Sequence, residues 1–388
     1  MTVSTESGEL AASLTELTRD LILIPSTESR PSERRRCLEF LGNHLDALSG
    51  IEVRYLEKEG YESLVAMPAG CDVPDILLCG HADVVDHPNQ SSFRSKIADG
   101  KIWGPGAGDM KGMLSIMTHL FRHLHREESG TTLGIAITSD EEQGGENGVK
   151  FLIEEEGLRC GTAIIPDGGS LTEITVEEKG IVHATLTAKG YSGHAARPWL
   201  CVNALDRLRS ALNRIEIEFT KLKEASSHEA DSEDHWYPTC TVTVIKTPNV
   251  TTNRVPGTAI ASLDIRFPPP LTIDSVSELI KSVIESDIEL EVDVGAEPTH
   301  LDPDPRFLDI TRRVTGESAR LIRASGGSDA RFFRAAGIPT LLSRPLVGNL
   351  HGEDEWINID SMVAYYQICE SYIHQYQARD KTSRTVNS

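Results

Sequence analysis

Two kinds of hydrophobic spacing alternate along the first part of the chain. GELAASLTELTRDLIL (8–23) and RRRCLEFLGNHLDAL (34–48) repeat apolar residues every three to four positions, which predicts amphipathic helices. DILLCG (75–80) and TTLGIAITS (131–139) are instead short and almost continuously apolar. Such runs suit strands buried on both faces, as in a sheet with helices on both sides. KGMLSIMTHLFRHLH (111–125) sets Met113, Met117, Leu120 and Leu124 on one helical stripe, expected to face the core.

Near Lys179 the texture changes. KGIVHATLTAKG (179–190) alternates like a half-buried strand, NALDRLRSALNRI (203–215) is helical, and CTVTVIKT and TAIASLDIRF are again strand-like. SVSELIKSVIE (275–285) then reads as a helix and IELEVDV (288–294) as a strand. The order strand–helix–strand–strand–helix–strand predicts a small ferredoxin-like α+β sheet. KEASSHEADSEDH (223–235) is a polar, acidic stretch expected to be a solvated loop, and RDKTSRTVNS (379–388) a frayed tail. From about 297 onward the first texture returns, ending in a helix through SMVAYYQICESYIHQY. The expected organisation is an α/β domain made of 1–177 and 296–388, interrupted by a smaller domain at 178–295.

At 388 residues the chain is long enough for two domains, and 39% hydrophobic residues supply their cores. Lys and Arg number 38 against 59 Asp and Glu, a formal net charge of −21. That field disfavours nucleic acid and anionic membranes as partners. The seven cysteines (37, 71, 79, 160, 201, 240, 369) are scattered without a CxxC pair, so reduced thiols are expected rather than disulfides or a thiolate zinc site. MTVSTESGEL lacks a basic start and an apolar run, so a cytoplasmic location is expected.

The chemistry-bearing residues follow apolar strands. His81 and Asp83 come directly after DILLCG, and period-two alternation puts them on one side of an extended backbone. One of them can bind a metal while the other orients its imidazole. Asp109 lies in the glycine-rich turn GPGAGDMKG, which lacks the Gly-Lys-Ser/Thr ending of a phosphate loop. Asp140, Glu141 and Glu142 end TTLGIAI in TSDEEQGGENG, where adjacent carboxylates repel and a cation would relieve them. A glutamate left unligated there is a candidate general base. Asp167 in AIIPDGG and His351 in NLHGEDEWI complete the set. Each is ordinary alone. Together, two histidines and several carboxylates on one sheet edge suit two zinc-like ions that activate water.

The motifs GHADVVD, GPGAGDMKG, TSDEEQGG, IIPDGG, GYSGHAARP, TNRVPG, GGSDARF and LHGEDEWI, in this order, resemble the M20 family of metallohydrolases over about residues 8–375. The resemblance implies a zinc-exopeptidase-like catalytic domain with a lid or dimerisation domain, and a homodimer. It implies that His81, Asp109 and Asp167 hold one ion and that Asp109, Glu142 and His351 hold the second. Asp109 would bridge the two, next to a cis Asp109–Met110 bond. Glu141 would be the general base, Asp83 the partner of His81, and His194 the lid residue that steadies the tetrahedral intermediate in the other subunit. Asn253, Arg266, Gly326, Gly327 and Ser328 match substrate-binding positions, and the direction of Arg331 is open. At the third ligand the family often has Glu where this chain has Asp167. The implied cofactors are two divalent ions, zinc first, with cobalt or manganese able to use the same ligands. The expected reaction is hydrolysis of an N-acyl amino acid or small peptide. Succinyl-diaminopimelate desuccinylase and acetylornithine deacetylase are specific alternatives. A non-catalytic metal-dependent binding protein is the reading from another class.

Overall fold

The computed structural model describes residues 2–87, 92–127, 130–226 and 235–376, with side chains from residue 7 onward. Residues 227–234 of the expected acidic loop and the tail 379–388 lie outside the described residues. The chain divides into two compact units, Met1–Val176 with Leu301–Ile322 and Ser328–Ser388, and Glu177–His300 with Arg323–Gly327.

The first unit opens with α1 (Thr2–Ile22) and α2 (Pro31–Asp46). Pro31 stands in the first turn of α2, where its missing N–H costs nothing and its fixed φ suits a helix. Then follow β1 (Ile51–Lys58), β2 (Tyr61–Pro68), β3 (Ile76–His81), α3 (Gly112–Arg126), β4 (Leu133–Thr138), α4 (Val149–Glu154) and β5 (Thr162–Ile165).

The second unit supplies β6 (Gly180–Lys189), α5 (Ala204–Ala225), β7 (Thr239–Lys246), β8 (Thr258–Phe267), α6 (Ile273–Val283) and β9 (Ile288–Ala296). The chain then returns to the first unit with α7 (Pro305–Thr315), β10 (Thr340–Leu342) and α8 (Ile359–Gln375).

In the first unit the strand order is β1-β2-β4-β3-β5-β10. The first two pairings are antiparallel, while β4, β3, β5 and β10 run parallel to one another. The fold is thus a mixed sheet with helices on both faces. All residues of β3 and β4 are buried, as their continuous apolar runs require. Neighbouring residues of β3 enter different cores. Leu78 packs with α1, α2, α3 and α8 on one face, and Leu77 with Val149, Leu152 and Phe333 on the other. Met113, Met117, Leu120 and Leu124 of α3 are all in the first of these cores. Burying each stabilises the fold by about 1.5–3 kcal/mol relative to exposure.

The second unit is a four-stranded sheet ordered β7-β8-β6-β9, with every neighbouring pair antiparallel. This is the ferredoxin-like arrangement expected from the element order. Here burial alternates. Val182, Ala184, Leu186 and Ala188 of β6 and Ala259, Ala261, Leu263 and Ile265 of β8 face Leu208, Ala211, Ile215, Val276 and Ile280 from α5 and α6. Only one face is covered by helices, so only alternate residues need be apolar.

Candidate metal centre

Four parallel strands bring the chemistry to one edge. β3 ends on His81, β4 leads into Glu141 and Glu142, β5 into Asp167, and β10 into Ser343 and Arg344. All four groups lie at the carboxyl ends of parallel strands, where α/β sheets leave a crevice. Asp109 arrives from a turn after Lys101–Trp103. Gly106 has φ 74°, and a Cβ there would stand 2.6 Å from Val84 Cγ1, so the turn requires glycine on both counts. The Asp109–Met110 peptide bond is cis, as the resemblance implies.

His81 is 1% exposed. Its Nε2 lies 3.1 Å from Asp109 Oδ1, while the other Asp109 oxygen, Oδ2, lies 3.4 Å from His351 Nε2. His351 Nε2 is also 3.4 Å from Glu142 Oε2. The ligand atoms of Asp109, Glu142 and His351 fall within 4.8 Å of one another, and so do those of His81, Glu141 and Asp167. Two donors about 2.0–2.1 Å from a tetrahedral zinc would stand roughly 3.3 Å apart, so these separations fit ion-sharing ligands. Glu142 Oε1 is buried with no hydrogen-bond partner among the described residues, as a ligand oxygen kept for a cation would be.

Asp83 joins the two groups. Its main-chain oxygen lies 3.0 Å from His81 Nδ1, its Oδ1 3.5 Å from the same nitrogen, and its Oδ2 accepts the Glu142 N–H at 3.0 Å. The imidazole is thus oriented mainly by the Asp83 carbonyl, with the carboxylate behind it. Asp140 turns away from the cluster, and its Oδ2 accepts the N–H groups of Asn147 and Gly148 at 2.7 and 2.9 Å. It shapes the loop that presents Glu141 and Glu142.

The electrostatics show an excess of buried negative charge. Burial and the nearby Asp109 push Asp167 up to about 7, and burial with Asp140 pushes Asp329 up to about 8. Burial also holds Glu141 well above the usual carboxylate range, reinforced by Asp167 and Asp329. Asp109 goes the other way, because hydrogen bonds to His351 and His81 outweigh its burial. Hydrogen bonds to Asp109 and Glu142 raise His351 to about 10. A divalent cation would relieve the repulsion between these carboxylates, and the donor set of imidazole and carboxylate, without thiolate, suits zinc, cobalt or manganese.

The profile of Peptidase family M20/M25/M40 matches residues 77–375. The chain belongs to this family. Its relatives include the succinyl-diaminopimelate desuccinylase of Parvibaculum lavamentivorans, 27% identical over 80% of this chain and 82% of the relative. The enzyme of the same name from Marinobacter nauticus is 26% identical over 92% and 97%. Among solved structures, the di-peptidase Dug1p of Saccharomyces cerevisiae superposes with a TM-score of 0.76 at 15% identity, over 95% of this chain and 97% of that one. The M20 family metallo-carboxypeptidase Sso-CP2 of Sulfolobus solfataricus gives 0.75 at 18%, over 94% and 98%. These structures share the fold. As an M20 protein the chain is an amide-bond hydrolase that uses divalent metal ions.

The other motif residues fall in several places. In the second unit, His194 and Asn253 come together, because Gly193–His194 pairs antiparallel with Arg254–Val255 and Ala195 N–H donates to the Asn253 carbonyl at 2.9 Å. Arg266 belongs to a separate cluster on β8. Its Nε and Nη2 both donate to Asp264, at 2.7 and 3.0 Å, and the cross-strand partner His183 lies 3.2 Å from the same carboxylate. Two of the donors of this guanidinium are thus taken by the chain's own Asp264. Period-two spacing of Asp264 and Arg266 was the signal for this.

Ser325 and Gly326 form a bend, Gly327 follows it ahead of the short helix Ala330–Ala335, and Ser328 Oγ accepts the Ala330 N–H at 3.3 Å. Arg331 Nη2 donates to the Gly144 carbonyl at 2.5 Å, which ties the GGSDARF segment to the loop carrying Glu141 and Glu142. Three groups escaped the sequence reading. Asp329 is 3% exposed, Arg344 Nη1 lies 3.4 Å from Asp167 Oδ1, and Glu355 is 1% exposed. Asp329 and Glu355 sit inside motifs that carry the family resemblance, and Arg344 follows the last parallel strand.

Proposed function

We propose that this protein is a dinuclear metal-dependent hydrolase that cleaves a linear amide bond of an N-acyl amino acid or small peptide and releases a free amino acid. The observation that carries the reading is the Asp109 carboxylate, whose two oxygens face two different imidazoles, His81 and His351. His81, Asp109 and Asp167 would hold one ion, and Asp109, Glu142 and His351 the other, with zinc as the expected metal; Glu141, whose carboxylate also lies within 4.8 Å of the His81 and Asp167 ligand atoms, is then left beside the first ion for the proton. The ions would supply Lewis-acid polarisation of the scissile carbonyl and acidify the attacking water. Glu141 takes the proton from that water and passes it to the leaving amine, which balances the cleavage to one carboxylic acid and one free amine. Asp83 holds His81 in one orientation.

The first unit is the catalytic domain in this reading and the second the lid and dimerisation domain. Val242, Val244 and Ile245 are exposed on the edge strand β7, and Tyr191, Trp199 and Leu200 are exposed around His194, which supports a homodimer in which His194 from one protomer completes the site of its partner. The names of the relatives make succinyl-diaminopimelate the first acyl substrate to try, with N-acetylornithine beside it. A cytoplasmic location accords with the free cysteines, and among the described residues no helix is long and apolar enough to cross a membrane.

The test is amine release from N-succinyl, N-acetyl and dipeptide substrates, with added zinc, cobalt or manganese and with chelator. Chelator-sensitive release from a subset supports the reading. Silence across the panel from protein holding two ions per chain overturns it. Mixing His194→Ala with Glu141→Ala chains should restore activity that neither has alone, and no recovery on subunit exchange argues against the shared site.

A further inference from the structure

We infer that Glu355 is a positioning residue that sets the two ligands Asp109 and His351 of the second metal position against each other. The inference rests on the metal reading above. Glu355 is the last acidic residue of LHGEDEWI, four positions after His351, and it is 1% exposed. A buried carboxylate needs compensation, and here the backbone of the Asp109 turn provides it. Oε1 accepts the N–H groups of Gly108 and Asp109 at 2.6 and 2.7 Å, and Oε2 accepts the N–H of Gly106 at 3.1 Å. One carboxylate thereby fixes three donors, at Gly106, Gly108 and Asp109, of the loop that delivers the shared ligand. The Gly104 N–H adds a bond to the Glu355 carbonyl at 2.8 Å.

The same residue closes the loop that delivers His351. Its N–H donates to the Gly352 carbonyl at 3.3 Å, and Asn349 Nδ2 holds Asp354 Oδ2 at 2.9 Å. Asn349 and His351 both have positive φ, 55° and 64°, a conformation that non-glycine residues keep only where the surroundings impose it. The two loops also touch closely. A Cβ at Gly108 would stand 2.9 Å from Val347 Cβ and 3.1 Å from the Trp356 carbonyl. Asp109 and His351 are 242 residues apart, so no local preference relates them (351 − 109 = 242). Glu355 is bonded to both segments.

Chemistry predicts a graded loss. Glutamine has one acceptor oxygen and an NH2 group, so Glu355→Gln keeps part of the clamp and aims an N–H at an N–H. Glu355→Ala removes all three bonds. Supporting groups around metal ligands are commonly worth about 10–100-fold in ion affinity. We expect Glu355→Gln to fold and to weaken the second ion, which would lose the placing of both Asp109 and His351, by about 10–100-fold, and the first ion, which shares only Asp109, by less, with Glu355→Ala weaker still.

The experiment is a titration of chelated wild type, Glu355→Gln and Glu355→Ala with zinc by calorimetry. Cobalt visible spectra and the melting temperature with and without metal accompany it. A larger loss of the second equivalent than of the first, with an altered cobalt spectrum, supports the inference. Two ions bound by wild type and by Glu355→Gln with equal affinity and identical spectra overturn it, even if both melting temperatures fall, because that is a purely structural role. Wild type that takes up no second ion overturns the metal reading itself, and the inference with it. If Glu355→Ala fails to fold, Glu355→Gln decides.

Discussion

Each unit of this protein carries a cluster of acidic and basic side chains, and the two clusters are in opposite electrostatic states. In the second unit Asp264 is held well below the usual carboxylate range by its hydrogen bonds to His183 and Arg266. Asp264, Arg266 and His183 are bonded to one another. In the first unit Glu141, Asp167 and Asp329 are all pushed up, and buried oxygens of Glu142 and Asp329 lack partners among the described residues. The cluster of the second unit is balanced within the chain. One left short of positive charge is built for something that arrives later, and the strand ends of the first unit are where it would bind.

The largest expected effect comes from the side chain that carries the proton. Glu141→Ala should lower turnover by about 10²–10⁴-fold while the protein still takes up its metal. Metal analysis and steady-state rates check this, and retained turnover would break the division between ligands and base.

A second substitution sets the clusters directly against each other. Asp167→Asn should weaken ion binding and yet raise the melting temperature of the chelated protein near neutral pH, because it removes a buried charge without a cation. Each kcal/mol relieved corresponds to roughly 2–4 °C. A chelated variant that melts lower than chelated wild type would refute the picture of unrelieved repulsion.

The pH dependence of the chelated protein has a definite sign. Asp167, Asp329 and His351 bind protons more tightly folded, at about 7, 8 and 10, than unfolded, at about 3.9 for Asp and 6.5 for His. Between those limits the folded state holds more protons, so stability falls as pH rises. For the aspartates the loss begins near pH 4, and for His351 it runs from about 6.5 to about 10. Melting curves of chelated and metal-loaded protein across this range should diverge increasingly towards high pH.

The smallest effect is expected in the second unit. Asp264→Asn breaks a partly exposed ion pair, worth about 0.2–1 kcal/mol. Asp264 has a lowered proton affinity when folded, so its contribution is present above about pH 4 and lost on acidification. Ion affinity should not change. A loss of ion binding in this variant would show that the two clusters are not independent.

Much of this was legible in the chain. Continuous apolar runs marked β3 and β4 as strands buried on both faces, and alternation marked β6 and β8 as strands buried on one. Those patterns are local, because each residue's face follows from its neighbours two positions away. His81, Glu141, Glu142 and Asp167 were visible as candidates because they stand just past apolar strands. Arg266 was visible as a cation on a strand, yet its partner Asp264, two positions back, was passed over.

By itself, then, the sequence determined the two sheet types, the order of the elements and the residue types available at the strand ends. The tertiary structure alone decided which carboxylate oxygen faces which imidazole, that Asp140 serves its own loop, and that Glu355 holds the Asp109 turn. The reason is distance along the chain. His81, Asp109, Glu142 and His351 are brought together by parallel strands and by a turn clamped from far downstream, and no period of two or 3.6 residues encodes a contact of that range.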